Sequence, residues 1–119
     1  MLSETRTRVD NITSPAGEKV AVLRFEGDIA STSRDAVLGA YEALPRENTR
    51  LLLLDFTKVD YINSSGIALV IQLLMEAANS GQKVCAFGLS THFTKVFNMV
   101  GIHNYAGIYA TESDALKGL

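Results

Sequence analysis

The segment Leu51-Leu52-Leu53-Leu54-Asp55-Phe56 constrains this chain more than any other. It is apolar at successive positions, so a strand made from it must be buried on both faces. A strand covered above and below needs helices packed on its sheet. That is the arrangement of a layered α/β domain with a largely parallel sheet. The run ends in a carboxylate, and in open α/β sheets function gathers at the carboxyl ends of strands.

The rest of the chain fits this frame. Thr5 to Ile12 alternates loosely and predicts a weak edge strand. Thr13-Ser14-Pro15-Ala16-Gly17 predicts a turn, and Val20 to Phe25 a second strand, closing a hairpin. Gly27-Asp28 is expected to break that strand. Ser31, Thr32 and Ser33 are candidate caps for a helix over 33–44, which Pro45 closes. Lys58 to Ile62 reads as a connector. A helix is expected over 67–79, with Gly81 as its stop. A buried strand over 83–87, a helix over 92–99 capped by Thr91 or Ser90, a short strand over 105–109 and a terminal helix from Thr111 complete the order β-β-α-β-α-β-α-β-α. The expected fold is a single α/β domain over residues 1–119, with a mostly parallel central sheet of about five strands and about four helices. Strand order does not follow from the pattern alone.

Charge and composition exclude several classes of function. Eleven basic and 13 acidic residues give a net charge of −2, and they are scattered. Nucleic-acid binding needs concentrated Lys and Arg, so it is not expected. Met1 to Asp10 is polar and charged, unlike a signal peptide. No apolar stretch approaches the ~20 residues that cross a bilayer. A cytoplasmic protein without a membrane partner is expected. Cys85, the single cysteine, lies in an apolar run and reads as a core thiol. His92 and His103 form no metal-type spacing with it. No metal, cofactor or catalytic residue is expected.

Two strand ends carry unusual residues. One is Glu26-Gly27-Asp28-Ile29. The other runs from Asp55 to Gly66 and closes on Asn63-Ser64-Ser65-Gly66 at the mouth of a helix. One of the two serines is expected to cap that helix. A hydroxyl at a helix N-terminus also suits phosphorylation, because free N–H groups and the helix dipole favour the added charge. A serine hydrolase would need Ser64 to find a histidine base. Neither histidine has a triad context, and the Gly-x-Ser-x-Gly elbow is missing. A phosphate or nucleotide site would need a glycine-rich loop that the segment lacks.

The stretch Asp55-Phe56-Thr57-Lys58-Val59-Asp60-Tyr61-Ile62-Asn63-Ser64-Ser65-Gly66-Ile67 resembles the signature of STAS domains, the family of bacterial anti-sigma factor antagonists. Phe25-Glu26-Gly27-Asp28-Ile29 is similar to the family's segment after its second strand, and Phe93 to Ile102 to its late helix. The resemblance implies a regulator that binds an anti-sigma factor serine kinase and so releases a sigma factor. It implies phosphorylation of Ser64 by that kinase and resetting by a PP2C-type phosphatase. Gly27, Asp28, Ile29, Tyr61, Asn63, Ser64, Ser65 and Gly66 are the implied partner-binding residues. A weak homodimer is also admitted. Two positions depart from the family pattern: Asn63 replaces the usual Asp, and Ala30 stands where a polar residue is common. An Asn cannot carry charge or act as a base, so a slowed switch is implied. The alternative is an unphosphorylated STAS scaffold or adaptor in a stress-signalling or lipid-trafficking complex.

Overall fold

The computed structural model describes residues 4–119; the first three residues of the polar Met1–Asp10 stretch lie outside them. Five strands form one sheet: β1 (Arg6–Thr13), β2 (Lys19–Ile29), β3 (Leu51–Ile62), β4 (Lys83–Phe87) and β5 (Gly107–Tyr109). Their spatial order is their chain order, β1-β2-β3-β4-β5. β1 and β2 are the expected antiparallel hairpin, and every other pairing is parallel. The helical elements are α1, which spans a 3-10 turn (Ser31–Ser33), a π-helical stretch (Asp35–Gly39) and an α-helical turn (Ala40–Glu42), then α2 (Ser64–Asn79), α3 (Thr91–Met99) and α4 (Glu112–Gly118).

This order explains the layering. Each crossover from one parallel strand to the next is right-handed. Three successive steps in one direction therefore put α1, α2 and α3 on the same face. The main core lies there, where Leu23, Phe25, Leu52, Leu54, Phe56 and Ala86 meet Val37, Tyr41, Leu73 and Phe97. The alternate strand residues Val20, Val22, Leu53, Cys85 and Phe87 face the other way, onto Ala115 and Leu116 of α4. The four-leucine run is buried on both sides because α4 folds back over the second face.

Two strands run further than the sequence suggests. β2 continues through Gly27, at φ 85°, to Ile29 instead of breaking. β3 continues through the expected connector to Ile62. Both extensions depend on bulges. Arg24 pairs with Asp55 but Glu26 with Lys58, and Gly27 pairs with Val59 but Asp28 with Tyr61. β3 thus takes one extra residue at each irregularity, which bends it and aims its end at the mouth of α2.

Asp55 clamps the first bulge. Its Oδ1 accepts from the Thr57 N–H at 2.9 Å and the Thr57 hydroxyl at 2.7 Å. Its Oδ2 accepts from Arg24 Nη1 at 2.9 Å. Arg24 also donates to Asp10 at 2.5 Å and to Glu112 at 2.7 Å. One guanidinium therefore joins β1, β2, β3 and α4. The Glu112 bond, with those to Asp10 and Asp55, raises its pKa beyond the ordinary arginine range. The same contact with Arg24 holds the Asp10 carboxyl below its usual value.

Candidate functional site at the mouth of α2

Three segments converge at the carboxyl ends of β2 and β3. The Ile29 carbonyl accepts from the Asn63 N–H at 3.1 Å. This bond fixes the last residue of β2 against the residue that opens α2. Asn63 then caps the helix: its side-chain oxygen accepts from the Gly66 N–H at 2.9 Å. The cap is therefore Asn63 and not a serine, which corrects the sequence expectation. Ser64 and Ser65 are both exposed in the first helical turn. Their hydroxyls are not needed to hold the helix, and their N–H groups belong to the set that finds no partner within a helix.

Gly66 is required by the same contact. A Cβ at this position would lie 2.2 Å from the Ile29 carbonyl oxygen and 2.9 Å from the Ile62 side chain. No side chain fits between α2 and the end of β2. Ile29 is expected from sequence to meet a partner, but its side chain is fully buried in the core. What it contributes to the site is its carbonyl. Ile62 is buried as well, and Ile67 is half-buried against the core. Gly27 and Asp28 are half-buried on the last turn of β2.

Tyr61 is 48% exposed, and its ring stands edge-on to Phe93 of α3 at 6.1 Å. The outer surface of the mouth therefore consists of Tyr61, Ser64 and Ser65, with the exposed Asp60 beside them. In the β4–α3 loop the sequence points to Ser90 or Thr91 as the cap of α3, but not to the role of Gly88 before them. Gly88, at φ 83°, brings its backbone so close to Thr57 that a Cβ would lie 2.4 Å from the Thr57 methyl. Ser90 then caps α3 by accepting from the Phe93 N–H at 3.1 Å. A glycine directly after a buried strand was the available signal. His92 is exposed and its ring stands edge-on to Phe93, and His103 is exposed beyond the far end of α3. No hydrogen bond joins either histidine to Ser64 among the described residues. Cys85 is buried, and burial pushes its thiol pKa up.

A family model described as "Mlab, STAS domain" matches residues 12–109. The chain belongs to the STAS family. STAS domains are generally regulatory rather than catalytic. Solved structures share the fold. An anti-sigma factor antagonist from Mycobacterium paratuberculosis superposes with a TM-score of 0.74 at 22% identity, over 97% of this chain and 93% of that one. The phosphorylated form of the Bacillus cell fate determinant SpoIIAA gives 0.63 at 19% identity, over 94% of this chain and 97% of that one. A sulfate transporter family protein from Wolinella succinogenes gives 0.70 at 13% identity, over 89% and 87%. Thus the STAS fold of this chain is shared by antagonists and by transporter domains. Among the described residues, no helix is long and apolar enough to cross a membrane.

Proposed function

We propose that this STAS domain is an anti-sigma factor antagonist. In this reading it binds an anti-sigma factor serine kinase through the mouth of α2, and phosphorylation of Ser64 releases it. One observation carries the reading: Asn63 supplies the cap, leaving the Ser64 hydroxyl exposed and unbonded at a helix N-terminus. The likeness to SpoIIAA, whose structure is known in a phosphorylated form, supports it.

The physics of the switch is local. A phosphoryl group adds about −1.5 to −2 charges at pH 7. In the free protein, the N–H groups and dipole of α2 accommodate that charge. In the complex, the same charge must be desolvated against a surface fitted to a neutral hydroxyl and set beside Asp60. A penalty of ~2.7 kcal/mol weakens binding about a hundredfold. No refolding is needed. A PP2C-type phosphatase would restore the hydroxyl. Tyr61, Ser64, Ser65 and the half-buried Gly27, Asp28 and Asn63 form the docking surface, while Gly66 shapes it from beneath.

The second reading is a STAS adaptor that is never phosphorylated. Asn63 favours it, because an amide caps the helix without the charge of the family's usual Asp. Titrating wild type and Ser64→Asp against each candidate anti-sigma kinase by calorimetry tests the first reading. Binding by wild type and its loss in Ser64→Asp, with an unchanged melting temperature, supports the switch. Equal binding by the two proteins would refute it.

A further inference from the structure

β1 forms one edge of the sheet. β1 is eight residues long, pairs with β2 without a register shift, and contains no proline. Natural sheets usually blunt such an edge with a bulge, a proline or a very short strand. At the opposite edge β5 has only three residues. Of the devices that blunt sheet edges, β1 keeps only charged side chains, Arg6, Arg8 and Asp10, and Val9 at its centre is 41% exposed. Its charges do not repel a second copy in every register.

A two-fold axis relating two antiparallel edge strands must run normal to the sheet. Such an axis keeps each face on its own side, so it must pass through a residue and not between two. Centred on Arg8 it opposes arginine to arginine at the axis, although Arg6 then meets Asp10 on either side, and centred on Asp10 it opposes aspartate to aspartate and leaves Arg8 facing Ile12. Centred on Val9 it sets Val9 against Val9, Thr7 against Asn11, and Arg8 against Asp10 on both sides of the axis. Arg8 and Asp10 already share a face and an ion pair at 3.5 Å within one chain. Asp10 is held in place by Arg24 at 2.5 Å. Opposite charges directly across an antiparallel pair are stabilising and like charges destabilising. Of these registers, only the one centred on Val9 pairs opposite charges without setting like charges against each other. We propose that two copies of this chain associate through β1 about Val9, joining their sheets into one continuous sheet of twice as many strands. The surface lies on the sheet edge, separate from the mouth of α2, and does not depend on the function proposed above.

Cysteine cross-linking reads the register directly. Opposed residues in antiparallel strands have Cα atoms about 4.5–5.5 Å apart, within the roughly 4.4–6.8 Å that a disulfide spans. Val9→Cys should form a disulfide dimer rapidly under mild diamide oxidation. Asn11→Cys, whose two copies would lie about 13 Å apart along the paired strands, should not. Cys85 is buried and does not compete. In sedimentation velocity the wild-type protein should show a concentration-dependent dimer. Arg8→Asp, which opposes aspartate to Asp10 twice, should weaken that dimer about tenfold or more. Circular dichroism melts establish that each variant is folded. A wild-type protein that stays monomeric at all concentrations up to the high micromolar range would overturn the proposal. So would equal cross-linking of the two cysteine variants.

Discussion

At the scale of single residues, the site depends on two positions that shape the start of α2. Gly66 lets α2 touch the Ile29 carbonyl, where a Cβ would sit at 2.2 Å. Gly66→Ala should therefore cost several kcal/mol, of the order of ~2–4, and a chemical denaturation curve would read it. Asn63 caps the helix. Asn63→Ala should lose about 1 kcal/mol, whereas Asn63→Asp should keep the cap and gain a little from the helix dipole. Urea midpoints of the pair separate the cap from the charge. Ser64 differs from both. It is exposed and unbonded, so Ser64→Asp should change stability by no more than ~0.5 kcal/mol. Sequence alone does not choose among Asn63, Ser64 and Ser65 as the cap, because all three are good cap residues. The choice is made by the bond from Asn63 N–H to the end of β2, a contact across 34 residues of chain that no local pattern reveals. Ile29 shows the reverse case: an apolar residue at a strand end looks like a docking residue, and the fold turns its side chain into the core.

At the scale of elements, the buried strands and α2 are legible, because their apolar residues recur at the period of their own structure. β4 begins and ends at the residues read from sequence, and α2 differs only by including Ser64, Ser65 and Gly66. The extensions of β2 and β3 were not legible. They rely on two bulges, the first of them held by Asp55, whose carboxylate bonds Thr57 locally and Arg24 from a neighbouring strand. A motif of Asp-apolar-Thr that reads as part of a functional signature is, in the folded chain, the clamp that bends β3 toward α2. Asp55→Ala should leave Arg24 with one carboxylate fewer in a part-buried site and remove the clamp on Thr57. A loss of ~2–4 kcal/mol is expected, together with weaker docking of Tyr61, because the strand that carries it loses its bend. Comparing the thermal melt and the partner affinity of this variant with those of Tyr61→Ala checks the point. Tyr61→Ala should weaken binding while leaving the melt nearly unchanged.

At the scale of the whole molecule, the sheet has unequal faces. Three crossover helices cover one side, and the short α4 alone covers the other. That second layer is joined to the strands by Arg24, which gathers Asp10, Asp55 and Glu112 from three elements. Its pH dependence has a definite sign. The carboxyl of Asp10 titrates lower in the folded protein than its ordinary value near 3.8. Its ion pair therefore contributes at neutral pH, and the contribution disappears as pH falls below about 4 through the folded value. Arg24 stays protonated throughout, so nothing is lost on the alkaline side. Arg24→Met should flatten the acid limb of a melting-temperature profile below about pH 4 relative to wild type. The buried Cys85, pushed away from its thiolate form, should react slowly with a thiol reagent until the protein unfolds.

Phosphorylation of Ser64 by a partner kinase is the central claim. The most direct measurement mixes the purified chain with each candidate anti-sigma kinase of its host and Mg-ATP, and follows intact mass, with Ser64→Ala as control. The expected result is the mass of one phosphoryl group on the wild-type chain and none on Ser64→Ala. Unmodified protein with every kinase, or equal modification of Ser64→Ala, would contradict the claim.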